Sequence, residues 1–595
     1  MTPFISINSV NTYCSKNFEV EVSPKVLAFL IENSILPIFR EGAEEYVLIG
    51  DLESVRSALR NPLSSDLIEE SVNLLDYGLP EAIVMDMGTR IELSAADDPI
   101  PAVFYAACRN LLSRASEKNG EHPSGTFNLP YFPPTRITSA SGEMVNIVQS
   151  QHLRANILET SNASHFANSA YYMGSKRSLR QFLVESVSSC LTDKGILVDL
   201  MCGSGAATSG FSRIWKTYAS DAQRFCQVLA TVQGGGYTGQ KAAQLLDKIL
   251  PLARQHVNEL KKQVGEFLEW EDRILHGDIG QELLDDYRMF LNTCPTYPDG
   301  CKYGDWDPVA TIEERKNHPA LIPWCLFTAY FSNVYFGLRQ CVEIDSLRNA
   351  IGMVGEKIDR EWALGALTAT LSALGTTYAG HFAQPVFKRS DDITLNQLAK
   401  LLEKRSHSII HEFSVRLFNL AEESEKSTRS IEIVEGPWQS ALARLEPILA
   451  GQEVLVYLDA PYKREEYSRY YHVLETLLRY DYPSCMGVGK TPNKRAGERF
   501  SSDFFTRSGT QAIRIMTKVI GEVLQKGWKC AWSYSDSGIA NIVKVVENIS
   551  STFECQITSF VVPYEHKSQR GAKPKKVREY VIIFNPRKSV LSNRL

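Results

Sequence analysis

Asp459-Ala460-Pro461-Tyr462 brings a carboxylate, a proline-flanked main-chain carbonyl and an aromatic ring together within four residues. The tetrapeptide ends an apolar run, Val454-Leu455-Val456-Tyr457-Leu458, that reads as a buried strand. Open α/β sheets place their chemistry at the carboxyl ends of such strands. Chemistry on a base amine needs this equipment. A carboxylate and a backbone carbonyl accept hydrogen bonds from the amine, and an aromatic face stacks on the extruded base. An Asp close to a proline is most often an ordinary turn, so the tetrapeptide takes its meaning from partners elsewhere in the chain.

The first partner is Val198-Asp199-Leu200-Met201-Cys202-Gly203-Ser204-Gly205, which follows Gly195-Ile196-Leu197 and leads into a helical run from Ala206. The pattern is strand, glycine loop, helix. Gly203 and Gly205 let backbone N–H groups approach a ligand, and the helix N-terminus behind them favours negative charge. Asp221, eighteen residues after Gly203, stands where an acid on a second strand accepts bonds from ribose hydroxyls. This spacing fits a nicotinamide cofactor and S-adenosylmethionine equally. A tight turn is the plainer reading of a lone Gly-x-Gly.

The second partner is Tyr172-Met173-Gly174-Ser175-Lys176-Arg177-Ser178-Leu179, just before the glycine loop. With the loop and the tetrapeptide it resembles the Dam-like, alpha-ordered family of N6-adenine DNA methyltransferases. That family opens on Tyr-x-Gly-(Gly/Ser)-Lys, continues with a glycine cofactor loop and a recognition domain, and then reaches an Asp-Pro-Pro-Tyr motif. The order matches from about residue 168 to residue 585. Tyr467-Ser468-Arg469-Tyr470-Tyr471-His472, Trp532-Ser533-Tyr534-Ser535-Asp536 and Lys576-Val577-Arg578-Glu579 resemble later segments of the same family. The resemblance implies that Tyr172, Gly174 and Lys176 flank the methionine end of S-adenosyl-L-methionine. It further implies that Asp199, Gly203 and Gly205 build the cofactor loop and that Asp221 holds the ribose. Asp459 and the Ala460 carbonyl would accept the adenine amine's hydrogens beside Pro461, and Tyr462 would stack on the flipped base.

Two positions depart from the family. Ala460 replaces the first proline of the tetrapeptide; it keeps the carbonyl and gives up proline's fixed φ. Glu435-Gly436-Pro437-Trp438 stands where the family carries an acid facing the cofactor's adenine, an acceptor that Pro437 cannot supply. The implied activity is S-adenosylmethionine-dependent methylation of adenine N6 in double-stranded DNA, in a restriction-modification or anti-phage setting. The alternative is a weak or inactive methyltransferase fold serving as the nucleic-acid recognition subunit of a defence complex.

The elements that must position these residues follow from pattern. The expected fold is α/β: a Rossmann-like methyltransferase domain split into residues 165–230 and 431–595. A mainly helical insertion over 231–430 would serve target recognition. Its Leu245 to Phe267 and Leu395 to Leu420 stretches have helical spacing, and Trp324, Phe327, Tyr330, Phe331, Tyr335 and Phe336 read as core before they read as a stacking platform. The turn Gly234-Gly235-Gly236 and the loop from Pro295 to Gly304 are expected to be exposed and able to reach DNA. Residues 1–112 read as an α+β region without recognisable chemistry, with Phe18 to Val22 alternating like a strand. Residues 113–164 read as a linker or arm rich in small and polar residues.

Bulk properties bound the rest. The chain has 595 residues, 44% hydrophobic and 22% charged, as in soluble globular proteins. It has no apolar run long enough to span a bilayer and no signal-like start, so a cytoplasmic location without membrane partners is expected. Its 12 cysteines form no Cys-x-x-Cys pair, which argues against a zinc ribbon or disulfide framework, and no metal site is expected. A net charge of −5 excludes a uniformly DNA-coating protein but not a local basic groove. Lys490, Lys494, Arg495 and Arg499 form one basic run, and Arg570, Lys573, Lys575 and Lys576 another. A charge run is usually a solvated face; beside an inferred base-modifying site these two read as phosphate contacts.

Overall fold

The structure is a computed structural model. It describes residues 4–19, 36–54, 136–138, 144–146, 172, 175–298, 302–318, 324–378, 380–462, 467–566 and 575–587, with a few single positions between 22 and 31 and at 300. Gly174, Arg570 and Lys573 lie outside the described residues, as do most of the expected linker and all of residues 55–112.

The N-terminal region contains strands β1 (Phe4–Ser6), β2 (Ile38–Glu41) and β3 (Glu44–Leu48), in the antiparallel order β1-β3-β2. Helix α1 (Val10–Phe18) takes in Phe18, the first residue of the stretch expected to alternate as a strand, of which residues 20 and 21 lie outside the described residues. Val10, Cys14 and Phe18 recur every four residues on its buried side, and Glu19 ends it in the left-handed region at φ 59°. Helix α2 (Ile49–Ser54) follows β3 directly. Phe4, Phe39 and Leu48 share a core with the central sheet described next, so this region is packed onto the remainder of the protein.

The central sheet has seven strands: β4 (Ile196–Asp199), β5 (Lys216–Ala219), β6 (Ile431–Ile433), β7 (Val454–Leu458), β8 (Lys529–Ser535), β9 (Cys555–His566) and β10 (Lys575–Pro586). Their order is β6-β5-β4-β7-β8-β10-β9. Only β10 runs against its neighbours, and the other pairings among the first five strands are parallel. Parallel strands covered on both faces read as continuous apolar runs, and β7 is buried at every position. The protein is thus a mixed α/β structure around a mostly parallel sheet. Chain order reverses between β4 and β7, and such a reversal opens a crevice at the strands' carboxyl ends.

Between β5 and β6 the chain is mainly helical. Helix α3 (Gly239–Leu275) has 37 residues and is capped by Thr238, whose side chain accepts from the Lys241 N–H. Leu245, Ile249, Ala253, His256, Leu260, Val264 and Phe267 line its buried stripe. The stretch read as one helix from Leu395 to Leu420 is two, Leu395–Ser406 and Ile409–Glu425, each opened by its own hydroxyl cap at Thr394 and Ser408. Phe327, Tyr330, Phe331, Tyr335 and Phe336 are fully buried, as a core stripe requires. Gly234 and Gly235 are buried as well. A Cβ on Gly235 would lie 2.1 Å from the Ser427 carbonyl oxygen, so these two form a close backbone crossing and not the exposed turn expected, while Gly236 is exposed as expected. No helix among the described residues is long and apolar enough to cross a membrane.

Candidate active site at the carboxyl edge of the sheet

Strands β4 and β7 pair in parallel with Asp199 opposite Tyr457, so the glycine loop and the Asp459 tetrapeptide leave the sheet side by side. The loop is built by its own backbone. Gly203 and Gly205 take φ values of 50° and 77°, and the Gly205 N–H donates to the Cys202 carbonyl. A Cβ on Gly205 would lie 2.7 Å from Ala230 Cα, so close helix packing requires glycine there. A Cβ on Gly203 would lie 2.9 Å from Cε1 of Tyr172.

Asp221 follows β5. Its Oδ2 accepts the Gly203 N–H at 3.1 Å and its Oδ1 the Gln223 N–H at 2.9 Å. Burial raises its pKa to about 6, against the pull of these N–H groups. Each carboxylate oxygen keeps a further lone pair, so ribose recognition remains chemically open to it. The neighbouring Gln223 side chain is 4% exposed, and its Nε2 has no hydrogen-bond partner among the described residues. Asp199 is more enclosed. Its Oδ2 accepts from Thr208 Oγ1 at 2.6 Å, and burial raises its pKa to about 7. It ties β4 to the helix after the loop.

Tyr172 lies over Gly203 in an aromatic group. Its ring stacks on Tyr471 (5.1 Å between centroids, 13°) and on Tyr467 (5.6 Å, 24°). The first segment of the resemblance therefore meets the segment just after the tetrapeptide.

Lys176 reaches the Asp459 tetrapeptide. An ammonium has three N–H donors. Here they meet three protein oxygens: Asp459 Oδ1 at 3.0 Å, Glu579 Oε1 at 3.1 Å and the Tyr462 hydroxyl at 2.5 Å. The ammonium also sits 4.3 Å from the centroid of the Tyr462 ring. With its donors taken by these oxygens, Lys176 is bound into the tetrapeptide. Burial opposes its charge, but the two carboxylates outweigh it and its pKa ends above the ordinary lysine value. Burial raises the Asp459 pKa; Lys176 opposes that rise and Glu579 adds to it.

The Tyr462 hydroxyl also donates to Glu579 Oε1, and Ser533 Oγ donates to the same oxygen at 3.0 Å. Tyr534 packs against the Tyr462 ring at 4.8 Å, and the Tyr462 carbonyl accepts the Ile539 N–H. Ala460 is buried and Pro461 half-buried. Glu579 and Ser533 carried no site role in the sequence reading. The only signal for them was their place in the late segments of the resemblance.

The second departure persists. Glu435 is exposed and pairs with Lys357 at 3.4 Å, while the Gly436 carbonyl accepts from Ser220 Oγ at 2.9 Å.

The basic residues separate. Lys490 is buried, and its ammonium donates to the Tyr297 carbonyl at 2.7 Å, so it braces the 295–304 loop and is not the phosphate contact expected. Lys494 and Arg495 are exposed and Arg499 is half-buried. Lys575 and Lys576 begin β10, with side chains outside the described residues. No group of His, Cys, Asp and Glu side chains suited to a metal occurs among the described residues. Comparison with protein-family models, curated proteins and solved structures finds no match.

Proposed function

We propose that the protein is an S-adenosylmethionine-dependent DNA methyltransferase acting on the N6 amine of a flipped adenine, built on a Rossmann-like domain. The observation that carries this reading is the convergence of four distant segments on one crevice: the glycine loop, Asp221, Lys176 and the Asp459 tetrapeptide. The first five strands of the sheet follow the order 3-2-1-4-5 of dinucleotide-binding folds, and the crevice lies at its switch point.

The residues present suit the cofactor. Positive-φ glycines expose backbone, Asp221 keeps acceptor capacity, and the unpartnered Gln223 amide supplies a buried donor beside it. S-adenosylmethionine supplies a methyl group on a positively charged sulfur. The protein's own part is positioning and electrostatics. An adenine amine is a poor nucleophile because its lone pair is delocalised into the ring. Asp459 and the Ala460 carbonyl accept its two hydrogens and localise that lone pair. The Asp459 carboxylate then stabilises the positive charge that develops on the nitrogen.

Calorimetry with S-adenosylmethionine, followed by tritium transfer to mixed-sequence duplex DNA, tests this reading. Binding with transfer supports it, and absence of binding contradicts it. Binding of DNA without cofactor would favour the second reading, a recognition subunit of a defence complex. Pro437, which has no side-chain acceptor where the resembled family carries an acid, is the observation that favours that alternative.

A further inference from the structure

We propose that Glu579 is a positioning residue for methyl transfer: it fixes the Lys176 ammonium on one oxygen of Asp459 and holds the Tyr462 ring beneath it. This rests on the reading above.

Glu579 is 2% exposed and cannot meet a substrate directly. It reaches the site from β10, the strand that runs against the sheet, and is held in register opposite Ser535 of β8. One oxygen, Oε1, collects donors from three other segments: Lys176 before the glycine loop, Tyr462 after β7 and Ser533 on β8. Lys176 in turn bridges Glu579 and Asp459. Without Glu579 the ammonium would have one carboxylate partner, and a flexible four-carbon stem can satisfy one partner from many directions. With two partners and the Tyr462 hydroxyl, all three donors point along fixed lines. The lone pairs that Asp459 presents to an amine are then set by the sheet itself, which is how rigid elements hold a reacting geometry.

Charge supports the same role. Two carboxylates and one ammonium leave one net negative charge when all are ionised. Glu579 therefore prevents Lys176 from neutralising Asp459, and the site keeps its preference for positive charge developing on the amine.

Two variants test the proposal. The first measurement needs no activity: a crystal structure of Glu579→Ala without cofactor. The expected result is a Lys176 ammonium that has left the Tyr462 hydroxyl and turned wholly onto Asp459, with the Tyr462 ring displaced. Unchanged positions of Lys176 and Tyr462 would overturn the proposal. The second uses Glu579→Gln, which keeps the shape and stands in if the alanine variant does not fold. Its kcat should fall by roughly a hundredfold with cofactor affinity nearly unchanged. Its acid limb in kcat/KM should move to lower pH, because a negative neighbour that opposes Asp459 ionisation has gone. A slower enzyme with an unmoved acid limb would mean a purely structural role and overturn the proposal. If the wild-type protein transfers no methyl group, the functional reading fails, while the crystal structures still decide what Glu579 positions.

Discussion

The backbone N–H of Gly203 donates to Oδ2 of Asp221 across 3.1 Å, so the glycine loop after β4 and the acid after β5 form one unit. Each holds the other in a ligand-ready shape. Gly203→Val should therefore act twice. Its Cβ strains a backbone at φ 50° and drives into the Tyr172 ring, and the loop N–H loses its aim. Stability should drop by about 1–3 kcal/mol, and S-adenosylmethionine binding by calorimetry should vanish. Undiminished cofactor affinity in this variant would reject the loop's assignment.

Asp459→Asn should remove one charge-assisted acceptor while keeping the side chain's size. The barrier should rise by about 3 kcal/mol, roughly a hundredfold in rate. Cofactor affinity should change little, and Lys176 should remain on Glu579. Transfer rates and calorimetry on the same preparation separate the two effects.

The N-terminal region makes a prediction about pH. Asp51 of α2 is buried against β9 and accepts the Ser559 N–H at 3.1 Å and the Ser559 hydroxyl. Burial raises its pKa from 3.8 to about 7, the hydrogen bonds notwithstanding. An acid whose pKa is higher folded than unfolded holds an extra proton in the native state between those values. Its contribution to stability is thus greatest below pH 4 and is lost as pH rises towards 7. Thermal melts of wild type and Asp51→Asn should diverge across this window, by on the order of 2–4 kcal/mol at pH 7 in the variant's favour. Other buried carboxylates cancel in the difference. Parallel curves would contradict the assignment.

The basic run from Lys490 to Arg499 should divide in a salt titration. Lys494 and Arg495 are exposed, so removing both should reduce the slope of log affinity against log salt on duplex DNA by about 1.8. Lys490→Ala should leave the slope unchanged and cost stability, because its ammonium braces the Tyr297 carbonyl. Fluorescence anisotropy at several salt concentrations distinguishes these outcomes.

What the sequence made legible divides along the same physical lines. Strand β7 and the run into β4 were readable because unbroken apolar stretches ending in an acid or a glycine turn have few other folds. The glycine loop and Asp221 were readable from spacing alone. The contact of Lys176 with Glu579 was not: Glu579 comes from the far end of the chain, and sequence spacing carries no information about which distant carboxylate a lysine meets. Lys490 was misread for a related reason, since its neighbours Lys494 and Arg495 are exposed and only tertiary contact buries it. Phe18 closes a helix because it continues the four-residue spacing of Val10 and Cys14, a longer-range pattern than the alternation that begins at it.

Nucleoside analysis of methylated DNA tests the central claim most directly. Wild-type protein is incubated with S-adenosylmethionine carrying a labelled methyl group and duplex DNA of random sequence, and the DNA is then digested to nucleosides. The expected result is label in N6-methyldeoxyadenosine alone with wild type, and roughly a hundredth as much with Asp459→Asn at equal early times. Label in another nucleoside, or equal label with the Asp459 variant, would contradict it.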